Sequence, residues 1–230
     1  MLVRLIILQG PSNCRFTMRS KLIIAAFFMG QLAFGQSTTV TNAWTKLSYK
    51  TDLSDAVSMT VGGQYRAKFG MDDDQWLTEV EFSKKIKKDW EVGMELRHYA
   101  IIDNQGATQG VFQRGRVQLN TQYHMDMPKG EVHLRYALQQ RFVLTGGGNS
   151  KFKSRIRAQY DYPIKNFKWD PTFEIEYLAA GAPNFDSDLR LGVGSSNKIG
   201  GLKFGVGYFY QRNFSNTDMH AHVIQTSIRF

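Results

Sequence analysis

Ala221-His-Val-Ile-Gln-Thr-Ser-Ile-Arg-Phe230, the last stretch of the 230-residue chain, decides the fold class. Read with a period of two, it puts His222, Ile224, Thr226, Ile228 and Phe230 on one face. Ala221, Val223, Gln225, Ser227 and Arg229 fall on the other. Successive strand side chains point to opposite faces, so the pattern predicts a strand with one apolar and one mixed face.

The same alternation recurs upstream. Over Lys151 to Ile164, Phe152, Ile156, Ala158, Tyr160, Tyr162 and Ile164 share one face. Lys151, Lys153, Arg155, Arg157, Gln159 and Asp161 share the other. Eleven such segments can be drawn, at about 43–50, 57–69, 75–86, 90–102, 111–125, 131–144, 151–164, 171–180, 188–196, 202–212 and 221–230. Strands of this length with alternating hydrophobicity, and no long apolar run after Gly35, are the signature of a membrane β-barrel. The expected fold is all-β, an antiparallel up-and-down transmembrane barrel. Single-chain bacterial barrels use even strand numbers, so the expectation is ten to twelve strands.

A chain that stops on an aromatic residue is similar in this to bacterial outer-membrane barrels, in which the last strand addresses the chain to the barrel-assembly machinery. Phe230 is the expected assembly signal. The front end supplies a matching export signal: basic Met18-Arg-Ser-Lys21, an apolar run from Leu22 to Phe28, and small residues at Ala33-Phe-Gly35. This is a secretory signal layout, too short to span a bilayer. The expected organisation is an upstream extension over 1–17, a signal peptide over 18–35 and one barrel domain over 36–230. The expected location is the outer membrane of a Gram-negative cell, with outer-membrane lipids as partners.

Removing the first 35 residues takes Arg4, Arg15, Arg19 and Lys21 but no acid, so the net charge falls from +9 to +5. Cys14, the single cysteine, leaves with them, which excludes disulfides, thiolate metal sites and a cysteine nucleophile. Nucleic acid is not an expected partner, because the chain is exported and its charges alternate along strands instead of clustering.

Connections alternate in length. Lys87-Lys-Asp89, Asp126 to Gly130, Lys165 to Lys168 and Asn197 to Gly201 are tight. Asp103 to Gly110, Thr145 to Ser150, Gly181 to Ser187 and Asn213 to His220 are longer. With Phe230 at the periplasmic rim, the tight set falls on the periplasmic side, as membrane barrels require. Tyr49, Trp90, Tyr123, Tyr162 and Phe230 then form one expected aromatic belt, and Phe69, Trp76, Phe142, Phe152 and Tyr210 the other.

Trp44 with Leu47-Ser-Tyr-Lys50, then Gln64-Tyr-Arg66, the strand Gly93-Met-Glu-Leu-Arg-His-Tyr99, Arg135 with Gln139-Gln-Arg141, Arg155-Ile-Arg157 and the closing Ile228-Arg-Phe230 carry a family resemblance. The chain resembles domain-of-unknown-function family 2490, a bacteroidete outer-membrane family. The resemblance spans essentially the whole mature chain and implies location and architecture. The family has no assigned activity, so no catalytic residue is carried over.

Function is expected in the lumen. Period two turns Glu79, Glu81, Glu91 and Glu95 inward. It does the same for the basic wall Arg114, Arg116, Arg135, Arg141, Arg155 and Arg157, with His133, Lys151 and Lys153, and for the acids Glu174 and Glu176. Arginine suits bidentate pairing with carboxylate or phosphate. Two readings follow: the charges pair into a closed plug, or a wet lumen takes a small anionic solute. Gln118, inward, is expected to tolerate lysine.

No catalytic set is expected. None of His98, His124, His133, His220 or His222 is followed by serine two residues on, the pairing of outer-membrane phospholipases. His124 and His133 with Asp126 and Glu131 read as plain ion pairs across a tight turn. Asp218-Met-His220-Ala-His222 and Asp72-Asp-Asp74 read as loops, not metal sites, and no cofactor is expected. The expected function is a structural barrel or a narrow solute or anion channel. The alternatives are an outer-membrane enzyme acting on lipid or envelope substrate, and a periplasmic ligand-binding barrel with an apolar interior.

Overall fold

The computed structural model describes residues 38–69, 73–104, 109–181, 187–215 and 219–230. The segment expected to be a signal peptide, Asp72 and Asp218 lie outside them. The described residues form eleven strands: β1 (Thr38–Asp52), β2 (Val57–Phe69), β3 (Asp73–Lys87), β4 (Trp90–Asp103), β5 (Gly110–Met127), β6 (Gly130–Val143), β7 (Lys151–Asp161), β8 (Asp170–Ala180), β9 (Ser187–Ile199), β10 (Leu202–Asn213) and β11 (Met219–Arg229). Each pairs with its neighbours in sequence and the sheet closes on itself.

The all-β barrel and a strand number between ten and twelve hold. The expectation of even parity does not. In an up-and-down order an odd count leaves the first and last strands pointing the same way, so β1 pairs with β11 in parallel while every other pair is antiparallel. Parallel pairing is slightly weaker per residue. The seam is reinforced by a Thr226–Thr45 hydroxyl hydrogen bond of 3.1 Å. Phe230 extends it: its N–H donates to Ser48 O at 2.9 Å, and its carbonyl accepts from Lys50 N at 3.3 Å. The first strand, expected from residue 43, begins at Thr38.

β7 stops at Asp161, short of the expected Ile164. Pro163 has no N–H to continue a ladder. The chain folds locally instead, with Ile164 N donating to Asp170 Oδ1 at 2.8 Å and Asn166 at φ 64°. That connection is therefore longer than the sequence suggested. The connection 200–201 is tight because Gly200 and Gly201 both take positive φ, 59° and 87°, the backbone a two-residue hairpin of this hand requires.

Polarity is inverted relative to a water-soluble domain. Outward positions carry exposed apolar side chains on every strand, among them Leu47, Val61, Leu96, Leu134, Ile156 and Val206. The fully buried set includes Glu79, Glu95, Arg116, Gln118, Glu176 and Asp188. The apolar interior that a periplasmic ligand-binding barrel needs is not there. The rings expected at strand ends lie on the outer face, with Trp90 and Tyr123 packed across β4 and β5 at 5.0 Å.

Candidate functional site: the charged lumen

The inward faces enclose a cavity of about 420 Å³. Among its described lining residues cations outnumber acids by more than two to one. Two of the lining acids, Glu95 and Glu176, and Glu79, which is outside the lining set, are each held by two cations. Glu79 contacts Lys46 and Arg97. Glu95 pairs with Arg97 Nε at 3.0 Å and with Arg116. Glu176 accepts from Arg155 Nη2 at 2.6 Å and Nε at 3.1 Å, and from Arg190 Nη1 at 3.0 Å. Gln118, 0% exposed, joins the two groups. Its amide donates to Glu95 Oε2 and its oxygen accepts from Arg155 Nη1, at 3.4 and 3.3 Å. The result is one polar network from β1 to β9.

That bridge is a physical argument against the expectation that Gln118 accepts lysine with little loss. A lysine there removes the acceptor for Arg155 and adds a cation beside it, in a site without water access.

The expected wall divides into three kinds of position. Arg116 and Arg155 are clamped by carboxylates, and Arg157 pairs more loosely with Glu174 at 3.4 Å. Arg135 and Arg141 line the cavity and, among the described residues, contact no carboxylate; the lining acid Glu81 likewise contacts no described cation. Arg141 instead lies over the Tyr99 ring, 4.7 Å from its centre. Arg114 stands apart from the wall. It donates to the carbonyls of Gln113 at 2.9 Å, Thr145 and Gly147 at 2.7 Å, so it pins the loop after β6 at the rim opposite Phe230.

Register explains the imbalance. Arg97 is opposite Arg116, Arg116 opposite Arg141, and Arg141 opposite Lys151, which lays four cations side by side across β4 to β7. Arg135 is likewise opposite Arg157. Like charges directly opposite one another are destabilising. Acids relieve the β4 and β5 end of the row, but among the described residues no carboxylate contacts Arg141 or Lys151.

Sequence reasoning passed over Lys46, Arg66, Arg97, Tyr99 and Arg190. The signal was available, since Arg97 follows Glu95 by two and Arg190 follows Asp188 by two, placing each pair on one face. Arg66 is held by Gln64 at 2.9 Å and stacks 3.7 Å above the Trp44 ring, a cation–π contact in place of an ion pair. His220 and His222 face outward and bond to the hydroxyls of Tyr210 and Tyr208, the latter at 2.6 Å. His124, His133 and Glu131 converge inside the lumen near the rim that carries Phe230.

The barrel, its inward arginines and its terminal strand can now be set beside known proteins. No curated protein and no solved structure matches the chain. Residues 41–221 match the family described as "Protein of unknown function (DUF2490)". The match covers the barrel from within β1 to within β11, and the chain belongs to that family.

Proposed function

We propose that the chain is an outer-membrane β-barrel whose lumen attracts and passes small anions. The carrying observation is the cation row Arg97, Arg116, Arg141 and Lys151, whose last two members contact no carboxylate among the described residues. A bound or passing anion relieves that repulsion where the protein supplies no acid. Arginine forks match carboxylate and phosphate oxygens, which makes small oxyanions the fitting class.

Inverted polarity supports the membrane location, because an apolar outer belt around a polar interior is what a bilayer selects. Phe230, stitched into the seam with its side chain outward, supports presentation to the barrel-assembly machinery. Phe230→Asp is expected to leave export intact and to block assembly, seen as loss of the heat-modifiable outer-membrane species. Normal assembly of that variant contradicts the assembly role.

Anion binding is tested on the purified barrel in detergent. Its unfolding temperature is expected to rise with phosphate at constant ionic strength, because a ligand that binds only the folded state stabilises it. Arg141→Gln with Lys151→Gln is expected to remove the rise. An unfolding temperature indifferent to phosphate in the unaltered protein contradicts the anion reading.

A further inference from the structure

At the end of the lumen nearer Phe230 the charge pattern reverses. Register sets Asp126 opposite Glu131 and Glu131 opposite Asp161, an acid row across β5, β6 and β7. One step further along the strands, His124 lies opposite His133. The Nδ1 atoms of the two rings are 2.7 Å apart. Glu131 reaches both histidines, with Oε1 at 3.3 Å from His124 Nδ1 and Oε2 at 3.6 Å from His133 Nε2.

Proton placement follows from the partners. Asp161 Oδ2 lies 3.1 Å from His133 Nε2. A carboxylate only accepts, so Nε2 carries the proton and neutral His133 presents a bare Nδ1 lone pair to the cluster. Asp161 is itself held. Its Oδ1 accepts from Gln159 Nε2 and from Thr172 Oγ1, both at 2.9 Å. A histidine that gives its far N–H to a fixed carboxylate and turns its other nitrogen to a shared point is the outer-shell arrangement of metal ligands.

We propose that His124, His133 and Glu131 form a binding site for a divalent transition-metal ion, with Asp161, Gln159 and Thr172 as the supporting shell. One ligand atom from each of the three residues falls within 4.8 Å of the others. Two imidazoles and one carboxylate leave at least one coordination position for water, and the donor set suits zinc, nickel, copper or iron, not calcium or magnesium. Metal–nitrogen bonds of about 2.0–2.1 Å spread two nitrogens to roughly 3.3 Å around a tetrahedral ion. The rings must therefore part by about 0.6 Å, which side chains at a part-exposed lumen wall accommodate by rotation. The ion offsets the repulsion in the acid row and ties β5 to β6, with Asp161 on β7 held to them through His133. This site is independent of the anion reading, since it uses none of the cation row.

The test uses tag-free barrel in detergent, with cobalt(II) as a spectroscopic probe and zinc as its competitor. One cobalt per chain is expected, with visible bands of low-coordinate cobalt that zinc removes. His124→Gln and His133→Gln are each expected to abolish the bands. Thr172→Val, which removes one of the two donors that hold Asp161, is expected to weaken binding about 10-fold. His220→Gln with His222→Gln, on the outer face, is expected to change nothing. Heat-modifiable mobility reports whether each variant is folded. Should the histidine variants fail to fold, zinc is still expected to raise the unfolding temperature of the unaltered barrel at neutral pH, and a chelator to reverse the rise. Folded His133→Gln with unchanged cobalt bands, bands lost in the His220/His222 variant, or no zinc stabilisation at neutral pH overturns the site.

Discussion

Glu176 and the Arg141–Lys151 corner lie in the same lumen and teach opposite lessons. Glu176, 2% exposed, is enclosed by two arginines that saturate both its oxygens. Arg141 and Lys151 sit opposite each other, and among the described residues no carboxylate contacts either side chain; Arg141 lies over the Tyr99 ring. The first is a structural knot. The second is an uncompensated field, which is what an anion-handling surface requires. The contrast divides the wall by position and not by strand: a paired network runs from β1 to β9 through Gln118, while Arg135, Arg141 and Lys151 on β6 and β7 stand outside it.

The largest expected effect breaks the knot. Glu176→Gln leaves Arg155 and Arg190 facing each other without a counter-charge, and unfolding titrations in detergent or lipid should lose about 3–5 kcal/mol. Slightly smaller is a change on the other side of the same wall. Ile156, mid-strand and outward beside Arg155, should lose about 2–4 kcal/mol on substitution by lysine if its face meets the bilayer midplane. Equal tolerance of lysine at Ile156 and at the inward Gln225 on refolding into lipid vesicles would contradict the assigned faces. Glu174→Gln sharpens the comparison within the paired sector. Its bond to Arg157 is 3.4 Å long and both side chains are partly exposed, so the loss should be about 0.2–1 kcal/mol in the same titration. Smallest is Arg135→Gln, which breaks no ion pair and relieves the repulsion with Arg157. Stability should stay within about 0.5 kcal/mol of the unaltered barrel, while anion affinity falls.

The faces of the strands were legible because burial is decided by period-two alternation, which needs only local sequence. The inward placement of Glu79, Glu95, Arg116, Arg155 and Glu176 followed from it. Partner choice was not legible. Whether Arg155 meets Glu176 or Glu95 depends on register between strands, and a shift of one pair changes the neighbour. Gln118 shows this well, since an inward glutamine reads as neutral filler until two networks meet on it. The end of β7 was misjudged because periodicity continued through Tyr162 and Ile164 while Pro163 removed the donor between them. Parallel closure could not be read from any one segment, because it is a property of the count.

An odd barrel also places its ends differently. β1 and β11 run the same way, so Thr38 begins at the rim opposite Phe230, where the longer loops lie. The open cationic sector faces that rim through Lys151 and the loop held by Arg114. The acid and histidine cluster faces the other. On the proposed anion path, an anion would meet cations at one end and the acid row Asp126, Glu131 and Asp161 at the other.

The most direct test of the divided wall is the reversal potential of the purified barrel in planar bilayers under a potassium chloride gradient. The unaltered protein is expected to favour chloride. Arg135→Gln with Arg141→Gln is expected to move the reversal potential toward zero at unchanged unfolding stability. A cation-selective barrel, a barrel with no measurable conductance, or a double variant that keeps its chloride preference while losing stability would contradict the account.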